Sequence, residues 1–184
     1  MSASDFDPFR LDVAAFAKAS GQLEGRWPQQ GLGRLAESCL TDAADMPSSR
    51  VVAWRIRGEA RGVRGGETEA WLHVEAATPV SLECQRCLRP VEAALNVDRS
   101  FLFVSGEDAA TRLDTDSEDD VLALTRALDV RELIEDEFLL ALPIVPRHEV
   151  CPTPLRAPTD GAAADEKPNP FAVLAALKSP DRPE

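Results

Sequence analysis

Hydrophobic and polar positions change their period several times along the chain, and each change marks an element. Near the N-terminus "VAAFAKAS" is spaced as a helix, with Asp12 as its N-cap and Gly21 as its stop. In "QQGLGRLAESCL", Leu32, Leu35, Ala36 and Cys39 recur at helical spacing, with Pro28 where a first turn tolerates it. Cys39 then lies on an apolar face and reads as a small buried thiol. From Ser49 the period falls to two. In "RVVAWRIRGEARG" Val52, Trp54 and Ile56 face one way and Arg55, Arg57 and Glu59 the other. A Gly65-Gly66 turn leads into "AWLHVEA", where His73 is a polar-face position, and "PVSLEC" and "VEAALNVDRSFLFV" supply further strands. No helical stretch separates these strands, so the pattern predicts an antiparallel meander rather than a βαβ series.

The second half returns to the helical period. "DVRELIEDEFLLALP" is the best helix: Asp129 at the N-cap and Glu132 three residues on form an acidic capping box. Val130, Leu133, Ile134, Phe138 and Ala141 line its apolar face, and Glu132, Glu135 and Asp136 its solvent face. Pro143 and Pro146 end it. Further on, "NPFAVLAALK" has Asn169 as N-cap, Pro170 at the first helical position, and Phe171, Leu174 and Leu177 on one side. A helix of about ten residues is too short to stand alone in water, so it is expected to dock in its own domain or in a partner's groove.

The fold expected is α+β: N-terminal helices, an antiparallel β meander of about five strands, one long acidic amphipathic helix and a tethered short C-terminal helix. Residues 1–151 are read as a single α+β domain, 152–168 as a flexible Pro- and Ala-rich linker, and 169–178 as the docking helix. Within the domain, residues 105–120 carry seven carboxylates against one Arg and read as an acidic mobile loop.

Charge then narrows the function classes. The 184-residue chain has a net charge of −12, which repels phosphate backbones and anionic membranes over most of its surface. One hairpin runs against this balance: residues 50–64 hold Arg50, Arg55, Arg57, Arg61 and Arg64 against Glu59 alone. Strand alternation accounts for these arginines as solvated polar positions; the sharper reading makes them an RNA-contacting edge. The N-terminus has neither the basic nor the apolar region of a secretory signal, and no apolar run approaches membrane-spanning length. A cytoplasmic protein with reduced thiols is expected.

Four cysteines remain as candidate chemistry: Cys39, Cys84, Cys87 and Cys151. "ECQRC" places Cys84 and Cys87 three apart, and "RHEVC" places His148 and Cys151 three apart. Three readings stay open. The four could form a Cys₃His zinc site; Cys84 and Cys87 could be a thiol-disulfide redox pair; or the two cysteines could pack at the base of a hairpin turn. Sixty residues separate the two pairs, so spacing alone does not decide. Arg86 and Arg89 could lower the thiol pKa, and they join the candidate RNA contacts. With no phosphate loop or nucleophile elbow, and only His73 and His148 as histidines, nothing argues for an enzyme or a small-molecule substrate.

"VSLECQRCLRPV", "LIEDEFLLALPIVPRHEVC" and "KPNPFAVLAALK", in that order, resemble the YceD family of large ribosomal RNA subunit accumulation proteins. The resemblance implies a non-enzymatic role in synthesis, processing or stability of large-subunit ribosomal RNA. The partner would be that RNA, a basic ribosomal protein or an assembly intermediate. It singles out Cys84, Cys87 and the tail from Asn169 to Leu174. It also implies a second cysteine pair toward the C-terminus, where this chain has only His148 and Cys151. A zinc-stabilised interaction module without a ribosomal role is the alternative class.

Overall fold

The computed structural model describes residues 6–40, 50–62, 68–117 and 119–152. The Gly65-Gly66 turn, Arg64, the linker beyond Pro152 and the predicted docking helix with Asn169, Pro170, Phe171, Leu174 and Leu177 lie outside the described residues.

The chain runs α1 (Val13–Lys18), β1 (Gln22–Pro28), α2 (Gly33–Ser38), β2 (Val51–Arg61), β3 (Glu69–Glu83), β4 (Pro90–Val104), α3 (Glu107–Asp116), β5 (Asp120–Ala123) and α4 (Val130–Ala141), with a 3₁₀ turn at Gln29–Gly31 before α2. The strands form one five-stranded sheet in the order β1-β2-β3-β4-β5. β1 to β4 are antiparallel neighbours, but β5 lies parallel to β4. The sheet is therefore mixed. The stretch read as an acidic loop is largely α3, which supplies the crossover that a parallel pair requires.

Two further expectations are corrected by pairing. Gln22–Pro28, assigned to no element in the sequence, is an edge strand, because Leu23, Gly25 and Trp27 lie opposite Ile56, Trp54 and Val52 of β2. "AWLHVEA" and "PVSLEC" are one strand, β3. Pro79 is tolerated within it because it lies past Ala77, the last β3 residue paired with β2 before the tip, and its carbonyl accepts from Gln29 Nε2 at 3.2 Å.

One sheet face is covered by α1, α2 and α4. Phe16 of α1, Leu35 of α2 and Ile134 and Phe138 of α4 are fully buried with Val52, Ile56, Leu72, Val74 and Val80. α1 begins where Asp12 Oδ1 accepts from the Ala15 N–H, and it crosses β2 at Gly58. A Cβ on Gly58 would sit 2.7 Å from Phe16 and 2.9 Å from the Ala17 backbone, so only glycine permits this approach. α4 begins where Asp129 Oδ1 accepts from the N–H groups of Arg131 and Glu132. Glu135, expected on its solvent face, is buried: it accepts from the Leu35 N–H at 3.1 Å and from Arg34, fastening α2 to α4. On the opposite sheet face, α3 covers only one end, packing Ala110 against Trp71, Leu102 and Val121. The rest of that face is left open by the described residues. No helix among the described residues is long and apolar enough to cross a membrane.

Candidate metal centre

At the far end of the β3–β4 hairpin the chain turns through Cys84, Gln85, Arg86, Cys87 and Leu88. The turn is held by the Leu88 N–H on the Cys84 carbonyl at 2.8 Å and the Cys84 N–H on the Arg89 carbonyl at 2.9 Å. It places Leu88 in the left-handed region, at φ 57°. The segment after α4 comes alongside, where the Gln85 N–H donates to the Pro146 carbonyl at 2.9 Å. This pairing spans the sixty residues that separate the two pairs of candidate ligands. The donor atoms of Cys84, Cys87, His148 and Cys151 all lie within 4.8 Å of one another.

Orientation as well as proximity suits a tetrahedral cation. His148 Nε2 lies 3.0 Å from the Pro90 carbonyl, which can only accept, so the proton sits on Nε2 and the lone pair on Nδ1. Nδ1 faces the thiols, 3.5 Å from Cys87 Sγ. A tetrahedral zinc with Zn–S of about 2.3 Å and Zn–N of about 2.0 Å would hold such a pair at about 3.5 Å. Cys84 is fully buried and the other three are half-buried. The residues fit zinc, and when bound the metal would supply a cross-link between the hairpin tip and the segment after α4.

The electrostatics point the same way. Burial alone would push the Cys84 thiol up. The backbone N–H groups of His148, Arg86 and Cys87, with the His148 side chain, bring it down to about 5. Cys87 moves the other way: burial, and the Cys84 and Cys151 sulfurs beside it, hold it above the ordinary thiol range despite the Arg89 N–H. The opposed preferences of Cys84 and Cys87 are what a dication would resolve, since it favours the thiolate at each.

The hairpin arginines are placed differently. Arg55 pairs with Glu24 at 3.0 Å, Arg57 with Glu75 at 3.0 Å, and Arg61 with Glu59 at 2.9 Å while lying 4.2 Å over the Trp71 ring. Arg50 is turned inward, its side chain 10% exposed, with Nη2 on Glu92 at 2.7 Å. None of these four presents an uncommitted cation. Arg86 and Arg89 stand exposed beside the candidate ligands Cys84 and Cys87.

Sequence reasoning missed a row of polar side chains on the open sheet face. His73 Nδ1 lies 2.8 Å from Ser100 Oγ and its Nε2 2.9 Å from Glu59 Oε2, linking β2, β3 and β4. No linear motif announces it, because only strand register brings the three together. Beside this row, the open face forms a shallow trough of about 670 Å³ between Glu24, Arg26, Arg55, Glu75 and Asp98, of mixed charge.

A model of the family described as large ribosomal RNA subunit accumulation protein YceD matches residues 72–178, more than half of the chain. The chain belongs to the YceD family. The large ribosomal RNA subunit accumulation protein YceD of Haemophilus influenzae is 30% identical over 176 residues, covering 93% of this chain and 95% of that protein. No solved structure matches. The stretch matched by the YceD model begins within β3 and takes in all four candidate ligands, whereas β1, β2 and the hairpin arginines lie before it. The YceD match therefore covers the candidate metal centre and the β3–β4 hairpin tip and post-α4 segment that carry it.

Proposed function

We propose that this protein promotes accumulation of large-subunit ribosomal RNA in the cytoplasm as a non-enzymatic binding factor acting on the assembling subunit. The observation that carries this reading is the near full-length likeness to a protein named for that process. The site chemistry agrees with a binding role. Cys84, Cys87, His148 and Cys151 are arranged as a closed four-donor set of the kind structural zinc takes, leaving no open position for a reacting water. Convergence of His148 and Cys151 on the same two thiols favours metal over a thiol-disulfide couple. A basic ribosomal protein suits the acidic surface around α3 and α4, and RNA suits the arginines that are not paired.

The test is genetic. Deleting the gene should lower large-subunit relative to small-subunit ribosomal RNA, read from total RNA, and the wild-type chain should restore the ratio. An unchanged ratio would remove the proposal.

A further inference from the structure

The geometry points to the metal-centred tip, with Arg86, Arg89 and Arg147 set around Leu88, Ile144 and Val150, as a binding surface for single-stranded RNA. This inference rests on the ribosomal role proposed above and names the part of the molecule that touches RNA. The first observation concerns charge. Arg50, Arg55, Arg57 and Arg61 of the hairpin are all spent on acids, whereas Arg86, Arg89 and Arg147 are exposed and take part in no ion pair among the described residues. Arg10, Lys18, Arg26, Arg112 and Arg126 are also outside ion pairs among the described residues, but they are scattered over five separate segments. The three at the tip are drawn together by the hairpin turn and the post-α4 segment. Arg86 and Arg147, with His148 and Glu149, line one depression of about 350 Å³.

The second observation concerns apolar surface. Leu88 is 69% exposed, Ile144 99% and Val150 84%. Each lies next to a metal ligand or in the short run that leads to Pro146, so the aliphatic side chains and the arginines share one end of the domain. Leu88 is held outward from a left-handed backbone position, which a non-glycine residue keeps only where its surroundings enforce it. Guanidinium groups for phosphates beside aliphatic surface for unstacked bases are the two halves of single-strand recognition; a duplex offers phosphates but hides its base faces. Among the described residues Glu37, Glu83 and Glu149 are acids at this end, and the −12 net charge of the chain repels RNA elsewhere, which confines binding to the tip and makes it salt-sensitive.

The test uses the full chain and a fluorescent 20-nucleotide single-stranded RNA, with anisotropy read at several salt concentrations. Combining Arg86→Gln, Arg89→Gln and Arg147→Gln should weaken binding about tenfold and flatten the log Kd against log salt plot by about 2, since each phosphate left without its arginine lowers the slope by about 0.7. Leu88→Ser with Ile144→Ser should weaken binding without changing that slope. Arg55→Gln with Arg57→Gln should change neither. Zinc content and circular dichroism establish that each variant is folded. An unchanged Kd in the triple variant overturns the inference, as does equal affinity for the corresponding duplex. Complementation of the deletion strain separates the two proposals. If the wild-type chain fails to restore the rRNA ratio, the ribosomal role fails. If it succeeds and the triple variant restores the ratio equally well, only the tip assignment fails. A triple variant that binds RNA normally but fails to complement assigns the tip to a protein partner, and overturns the RNA reading.

Discussion

His148 divides two tasks between its ring nitrogens: Nε2 is fixed by the Pro90 carbonyl and Nδ1 is left to meet the thiols. Such an outer hydrogen bond sets the tautomer that a metal needs. Cys84, the fully buried member of the set, is the ligand whose loss is least easily replaced by solvent. Cys84→Ser should reduce zinc from about one ion per chain to near zero in protein purified without chelator, measured by elemental analysis. Retention of a full equivalent would show that these four residues do not hold it. Elsewhere a single carboxylate sets an acid limit. Arg61, and after it His73, hold Glu59 at about 2, below its ordinary 4.5. Its contribution to stability is therefore complete above about 4.5 and disappears as pH falls toward 2. The urea midpoint of wild-type protein should exceed that of Glu59→Gln at pH 7, and the two should converge over that interval. A constant gap down to pH 2 would show that Glu59 acts without its charge.

At the scale of elements, close approach matters more than propensity. Gly58→Ala sets a methyl against the buried Phe16 ring and the Ala17 backbone of α1, so α1 or β2 must shift. Urea unfolding should show a loss of roughly 1–3 kcal/mol. Gly33→Ala, with no atom within 4 Å of the added carbon, should be neutral or stabilising by up to about 1 kcal/mol. Equal effects at both positions would mean that helix–sheet approach is not what Gly58 provides. The elements legible in the sequence were those whose pattern is strong and local: the β2 alternation, and the Asp129-capped α4. β1 was not legible because Leu23 and Trp27 are too few to establish a period, and only pairing with β2 makes them a strand. α3 was hidden by its charge. Seven carboxylates across residues 105–120 mask one buried alanine, while Glu107 and Asp108 fall in the first turn, where the helix dipole favours them. Glu135 misled for the opposite reason, since its burial depends on Arg34 and Leu35 a hundred residues away.

For the whole molecule, the candidate metal centre and the apolar core lie apart. Twenty of the described residues form the main buried cluster, whereas the four candidate ligands sit at the hairpin tip and beyond α4. Chelation should therefore loosen the tip while leaving the sheet intact. Thiols reactive to a disulfide reagent should increase and proteolysis appear within residues 142–151, while the β-sheet circular dichroism persists. Global unfolding on chelation would make the metal essential to the core. The site was half legible before folding: both pairs of ligands could be picked out, but not their meeting. The reverse held for the arginines: their linear density on the β2 hairpin was plain, but not that Arg50, Arg55 and Arg57 pair with acids of other strands and Arg61 with Glu59 of its own.

Leu11, just before α1, and Leu128, just before α4, form an isolated antiparallel bridge, and this has a consequence for how the chain reaches its structure. β1 to β4 follow one another in sequence and in space, so the meander can form from neighbours. By contrast, the reciprocal hydrogen bonds of Leu11 and Leu128, at 2.8 and 3.0 Å, close a loop of more than a hundred residues. Loop closure of that length carries an entropic cost that earlier local pairings do not. During synthesis this seam must wait until β5 has emerged, and the ligands after α4 arrive later still. Vectorial folding thus ends at the tip, so the surface carrying Arg86 and Arg147 is the last part of the described chain to be completed.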